Sequence, residues 1–175
     1  MADEDHESLF RTWLSNHGGA VLKVARAYTI TTEECQDLVQ EILLQIWSSL
    51  SRFQGASSPA TWCYRVALNT ALDWRRQEHR RRSSERPTVE VEHLPVASGD
   101  CGEQLIQREA VERLYVAIRQ LPRTDAALVL LYLDGLSYRE MAEILGISEG
   151  HVGVKLTRAR TALGELMREE KPHGR

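Results

Sequence analysis

Apolar positions recur along this chain at spacings of three and four, a period that predicts helices throughout. From about residue 5 to 29, Leu9, Trp13, Leu14, Val21, Leu22, Val24, Ala25 and Tyr28 keep that period. His17-Gly18-Gly19 interrupts it, so the pattern predicts two helical pieces there. Thr31 followed by Glu34 reads as a capping box opening a helix to about Leu50. Its inward side holds Cys35, Val39, Ile42, Leu43, Ile46 and Leu50, and its outward side holds Asp37, Gln40, Glu41, Leu44, Gln45 and Ser48. After the loop SRFQGASSP, Ser58 and Pro59 read as a cap and a first helical position. The helix that follows to about Arg82 turns Ala60, Cys63, Tyr64, Ala67, Leu68, Ala71 and Trp74 inward. A second stripe on it carries Trp62, Arg65, Val66, Asn69, Asp73, Arg76 and Arg80.

Between Ser83 and Gly102 the period stops, and two prolines and two glycines predict a flexible linker and a domain boundary. Beyond it, Leu105, Val111, Leu114, Tyr115 and Ile118 predict a helix from Glu103 to Gln120 that Pro122 ends. Another runs from about Thr124 to Leu133 and leads through an Asp134-Gly135 turn into a second capping box, Ser137 with Glu140. Met141, Ala142 and Leu145 form the apolar face of this short helix, and Gly146 supplies the left-handed residue that closes it. Ser148 caps the last helix, where Val152, Leu156, Ala159, Leu163 and Leu166 make one buried stripe. The opposite side carries Gly150, Val154, Thr157 and Thr161, flanked by His151, Lys155 and Arg158.

Each polar face admits two readings. The last two short elements fit a helix-turn-helix, whose exposed cations meet phosphates while small side chains meet base edges, and equally a helical hairpin with a solvated charged face. Trp62 with arginines and Asn69 on one line suits unstacked bases, which need a ring to stack on and cations for the backbone. A tryptophan packed on a neighbouring helix, with ion-paired arginines outside it, explains the same line. Leu44 amid an acidic face is either a docking residue or one of the many leucines that surfaces tolerate singly.

Composition narrows the field. The 175 residues are 42% hydrophobic and 27% charged, an ordinary soluble balance. No apolar run approaches the roughly 20 residues of a membrane span, and the acidic N-terminus MADEDHES is no signal peptide, so a cytoplasmic protein is expected. Cys35, Cys63 and Cys101 lack metal or disulfide spacing and read as reduced structural thiols. The net charge of −3 conceals segregation: residues 74–86 hold six arginines against two glutamates, whereas the first 41 residues are acidic. Such polarity predicts two partner surfaces.

The segments DLVQEILLQIW (37–47), RFQGASSPATWCYRVALNTALDWRR (52–76), Leu121-Pro122, DGLSYREMAEILGIS (134–148) and LTRAR (156–160), in that order, closely resemble bacterial extracytoplasmic-function sigma factors. The resemblance implies an all-α fold of two small helical domains: a region-two bundle at 5–82 and a region-four helix-turn-helix at 103–170. A linker at 83–102 would stand where larger sigma factors have a third region, threading toward the RNA exit path. It implies that Asp37, Leu38, Gln40, Glu41 and Gln45, with Leu44 among them, dock on the clamp helices of core RNA polymerase. The loop from Phe53 and Gln54 to Trp62, with Trp62, Arg65, Asn69, Asp73, Arg76 and Arg80 of the next helix, would recognise the minus-ten element and hold a flipped base. The helix from Ser148, with Glu149, His151, Val154, Lys155 and Arg158, would read the minus-thirty-five element beside Ser137 and Tyr138. Implied partners are core RNA polymerase, promoter DNA and an anti-sigma factor covering the polymerase surface, with no cofactor, metal or membrane insertion. His151, Gly153 and Lys155 depart from the Thr, Lys and Arg frequent in the family, which puts inherited promoter specificity in doubt.

The competing function is a self-sufficient helix-turn-helix regulator whose N-terminal half senses a ligand or dimerises. It would bind a palindromic duplex unaided. No nucleophile has a base near it in sequence, so an enzyme is not expected.

Overall fold

The computed structural model describes residues 2–84 and 102–169, and these fall into two compact units, one within 1–93 and the other within 94–175. Every regular element among the described residues is helical.

The first unit is a bundle of three long helices, α1 (Ala2–Tyr28), α2 (Thr32–Ser49) and α3 (Pro59–Ser84), each packed on the other two. The capping box forms as expected: Thr31 Oγ1 accepts from the Glu34 amide at 3.2 Å, and Glu34 Oε2 accepts from the Thr31 amide at 3.4 Å. At the start of α3, Ser58 Oγ accepts from the Thr61 amide at 3.1 Å and Pro59 takes the first helical position. Leu38, Ile42 and Ile46 of α2 meet Cys63, Tyr64, Ala67, Leu68 and Ala71 of α3 and Val21, Val24 and Ala25 of α1 in the core.

The N-terminal segment is one helix, not two. A glycine inside a helix costs about 1 kcal/mol relative to alanine. That cost is outweighed because residues on both sides of Gly18-Gly19, Trp13 before and Val21 after, are buried in the same core. Leu9, Leu14 and Leu22, which share the apolar period, are exposed.

In the second unit α5 (Arg123–Leu133) is the central element. Residues 126–131 are all buried, so it is apolar on every side, and α4 (Gly102–Gln120), α6 (Tyr138–Leu145) and α7 (Glu149–Glu169) enclose it. On α4 the core residues are Tyr115, Ala117 and Ile118, whereas Val111 is exposed; the side chain of Leu105 lies outside the described residues. Gly135, at φ +76°, makes the turn out of α5, and Gly146, at φ +66°, closes α6. Val152, Leu156 and Ala159 of α7 are buried and Leu163 and Leu166 half-buried. The linker expected at 83–102 lies outside the described residues at 85–101, and its two ends belong to α3 and α4.

Candidate nucleic-acid and partner interfaces

On α2, Asp37, Gln40, Leu44 and Gln45 are exposed and Glu41 is half-buried, with Gln45 Nε2 donating to Glu41 Oε1 at 2.9 Å. Leu38 does not share that face. It is 0% exposed and belongs to the core, so it can act on a partner only by holding the helix. Leu44 is 59% exposed and lines an apolar groove of about 650 Å³ with Phe10, Leu43 and Trp47, rimmed by Glu7, Arg11 and Gln40. Trp47, itself 40% exposed, is fixed by the edges of Phe10 and His6, with ring centroids 5.1 Å and 4.5 Å away. Glu7 and Arg11 pair at 2.6 Å across one turn of α1. An isolated leucine would mean little, but a leucine and a tryptophan sharing one groove form the kind of apolar patch that binds protein.

On α3 the structure bears on the two readings that its sequence left open. Phe53 stands edge-on between Trp13 and Trp62, at centroid distances of 4.8 Å and 5.5 Å. Both Phe53 and Trp62 are half-buried, and the buried Trp62 indole nitrogen has no hydrogen-bond partner among the described residues. The aromatic pair therefore braces the loop to α1, in line with the packed alternative for Trp62. Gln54, Asn69, Asp73, Arg76 and Arg80 are exposed, Arg65 is half-buried, and Asp73 pairs with Arg76. Asn69 and Asp73 line a groove of about 500 Å³ between α2 and α3 together with Glu41 and Gln45. Residues assigned from sequence to two partners thus meet in one groove.

In the second unit Ser137 and Ser148 act as caps. Ser137 Oγ donates to Glu140 Oε2 at 2.7 Å and accepts from the Glu140 amide at 3.3 Å, while Ser148 Oγ accepts from the His151 amide at 3.3 Å. The Ser137 hydroxyl, and then its amide, hold the Glu140 carboxyl below the ordinary glutamate range. Glu149, His151, Val154 and Arg158 are exposed on α7. Lys155 is drawn back to 4.0 Å from Asp125 of α5 and is only partly exposed. Tyr138, 44% exposed, lies with its ring beside Gly153: a methyl built there would sit 3.5 Å from Tyr138 Cε2.

Comparison with known proteins decides between the readings. Residues 13–81 match the family model Sigma-70 region 2, and residues 111–163 match Sigma-70, region 4. The chain belongs to the extracytoplasmic-function sigma factors of the sigma-70 family. It is 30% identical to the ECF RNA polymerase sigma-E factor of Haemophilus influenzae, over 86% of this chain and 83% of that one. It is 30% identical to the ECF RNA polymerase sigma factor SigM of Mycobacterium tuberculosis, over 92% of this chain and 76% of that one. Its fold is similar to that of the sigma factor RpoE solved with the anti-sigma factor NepR from Bartonella quintana: TM-score 0.71, 21% identity, 93% of this chain and 98% of the other. It is also similar to that of CnrH solved with the cytosolic domain of CnrY: TM-score 0.68, 22% identity, 94% and 91% covered.

This sigma factor therefore directs RNA polymerase in transcription initiation, with region-two and region-four folds in one chain. Neither Cys35 nor Cys63 is in a disulfide and both are buried; burial pushes Cys63 up to about 11, which leaves little of its thiol as reactive thiolate at neutral pH. Cys101 lies outside the described residues. Among the described residues no group of three or more His, Cys, Asp or Glu could hold a metal, and no helix is long and apolar enough to cross a membrane. Sequence reasoning missed Phe10 and Trp47 as partners of Leu44. The signal was there for Trp47, three residues on from Leu44 and so beside it on the same helix.

Proposed function

We propose that this sigma factor divides promoter work between its units, with region two at 5–82, region four at 103–170 and 83–102 connecting them. The exposed Leu44–Trp47 groove, with Asp37, Gln40, Glu41 and Gln45 beside it, docks on core RNA polymerase. That groove is the observation that carries the reading: an apolar patch beside an acidic face suits a protein partner, and the match to both sigma-70 regions favours polymerase over the second copy that a dimerising regulator would place there. Gln54, Arg65, Asn69, Asp73, Arg76 and Arg80 engage the minus-ten element, and the Trp13–Phe53–Trp62 cluster holds the loop that carries Gln54 against the start of the helix that carries the others. Flipping a base costs a few kcal/mol in lost stacking, so a site held rigid before DNA arrives favours opening. Tyr138, Glu149, His151, Val154 and Arg158 meet the minus-thirty-five duplex, with Lys155 adding charge and Ser137 and Ser148 setting the helix ends.

The protein works in the cytoplasm beside polymerase and catalyses no reaction of its own. An anti-sigma protein covers the α2 groove in the inactive state. The likeness to RpoE, solved with the anti-sigma factor NepR, and to CnrH, solved with the cytosolic domain of CnrY, supports this, as does the exposed apolar surface that would otherwise stay wet. The test is transcription from a promoter library by core polymerase, with start sites mapped with and without the protein. New start sites preceded by two separated sequence elements are expected, and unchanged start sites would rule the reading out.

A further inference from the structure

The side of α7 opposite its buried stripe carries Gly150, Val154, Thr157 and Thr161, and its donors are already used. Thr157 Oγ1 donates to the Gly153 carbonyl at 2.9 Å, and Thr161 Oγ1 donates to the Thr157 carbonyl at 3.1 Å. What these two threonines have left to present is a methyl group and a hydroxyl oxygen that can only accept. Val154 is 53% exposed, and on the flank next to Thr157 the absent side chain of Gly153 leaves room for the Tyr138 ring. Val154 and the Thr157 methyl thus share the outward side of α7, with the Tyr138 ring beside that side at Gly153. A β-branched residue does nothing for helix propensity and Val154 is more than half exposed, so neither helix stability nor core packing accounts for it. The polar and basic side chains stand to the other side: His151 and Arg158 are exposed, and Lys155 is held toward Asp125.

In the major groove guanine is read by paired donors from arginine or lysine and adenine by an amide, whereas thymine is distinguished by apolar contact with its C5-methyl group. We propose that this sigma factor reads the centre of its minus-thirty-five element through thymine methyl groups packed on Val154 and the Thr157 methyl, with the Tyr138 ring extending that surface. Arg158 and His151 then serve the phosphates at its rim. The inference rests on the region-four reading above and names the base chemistry that this reading leaves open.

The experiment uses holoenzyme assembled from the full chain and core polymerase. A minus-thirty-five sequence is first selected from randomised duplexes, and each thymine in it is then replaced by uracil, which removes only the methyl group. Competition binding should show a loss of about fourfold at one or two thymines, the factor expected for one buried methyl. Val154→Ala should weaken binding to the thymine duplex and erase the penalty for uracil at one of those positions. Arg158→Ala should weaken both duplexes equally and keep the penalty. Uracil tolerated at every position, or a full uracil penalty at every position in Val154→Ala, overturns the inference. If start sites still depend on the protein in that case, the methyl readout alone is rejected; if start sites do not depend on it, the region-four reading falls and the inference with it.

Discussion

The two units expose opposite chemistry on similar scaffolds. In the first, α2 turns an acidic face and an apolar groove outward, with Leu44 and Trp47 far from saturated by their own domain. In the second, α7 turns outward methyl groups, a histidine and an arginine, around a core whose central helix is buried on every side. An apolar patch gains most from a protein partner that dries it, whereas cations and methyl groups suit a phosphate-lined groove. Amphipathic helices of one period therefore present faces suited to two kinds of partner, and the outward faces, not the cores, tell the units apart.

That contrast can be broken most forcefully inside the core. Leu38→Ala should destabilise the first unit by about 2–5 kcal/mol, the cost of removing a fully buried leucine. All four tryptophans lie in that unit, so urea unfolding followed by tryptophan fluorescence reports it alone, while helical ellipticity reports both. Leu38 and Leu44 differ only in facing: Leu44→Asp should leave the fluorescence transition within about 0.5 kcal/mol of the parent while weakening core polymerase binding about tenfold or more.

Smaller effects sharpen the second unit. Ser137→Ala should cost it about 1 kcal/mol by removing the cap of α6. Because Glu140 has a lowered pKa in the folded protein, its contribution is complete above the ordinary glutamate value of about 4.3 and is lost as pH falls through the lower folded value. The parent should lose stability along that acid limb, and Ser137→Ala should lose less, as read by ellipticity at fixed urea. Arg158→Ala should lower the salt slope of duplex binding by about one, and Lys155→Ala by less, since Lys155 already faces Asp125. Smallest of all, Gly153→Ala should stabilise α7 by about 0.5 kcal/mol, because the new methyl meets Tyr138 at an ordinary contact distance.

Local signals were legible in the sequence wherever one residue's chemistry acts on its near neighbours. Both capping boxes, the Pro59 helix start, the Gly135 and Gly146 turns and the buried stripe of α7 as far as Ala159 form as the spacing predicts. What periodicity could not supply was the choice among apolar residues at the edge of a stripe. Leu44 is exposed where the period of α2 puts it, but Leu38, outside the predicted inward set and assigned by resemblance to the docking face, is sent to the core by the placement of α1 and α3. The His17-Gly18-Gly19 break failed for the same reason, since burial on both sides of it overrides a weak local preference. Trp62 is similar: its line of arginines is visible in sequence, but Phe53 reaches it from a loop whose path no period encodes. The Lys155–Asp125 and Tyr138–Gly153 contacts join separate helices, so the outward surface of α7 became readable only once those helices were placed.

The central claim is that polymerase docking and duplex reading are separate surfaces. Its most direct test is to measure, for Leu44→Asp and Arg158→Ala in parallel, binding to core polymerase and use of a minus-thirty-five element by the assembled holoenzyme. Leu44→Asp should lose polymerase binding, and Arg158→Ala should bind polymerase as the parent does while losing transcription from promoters that depend on that element. Equal loss of polymerase binding by both variants would contradict the claim.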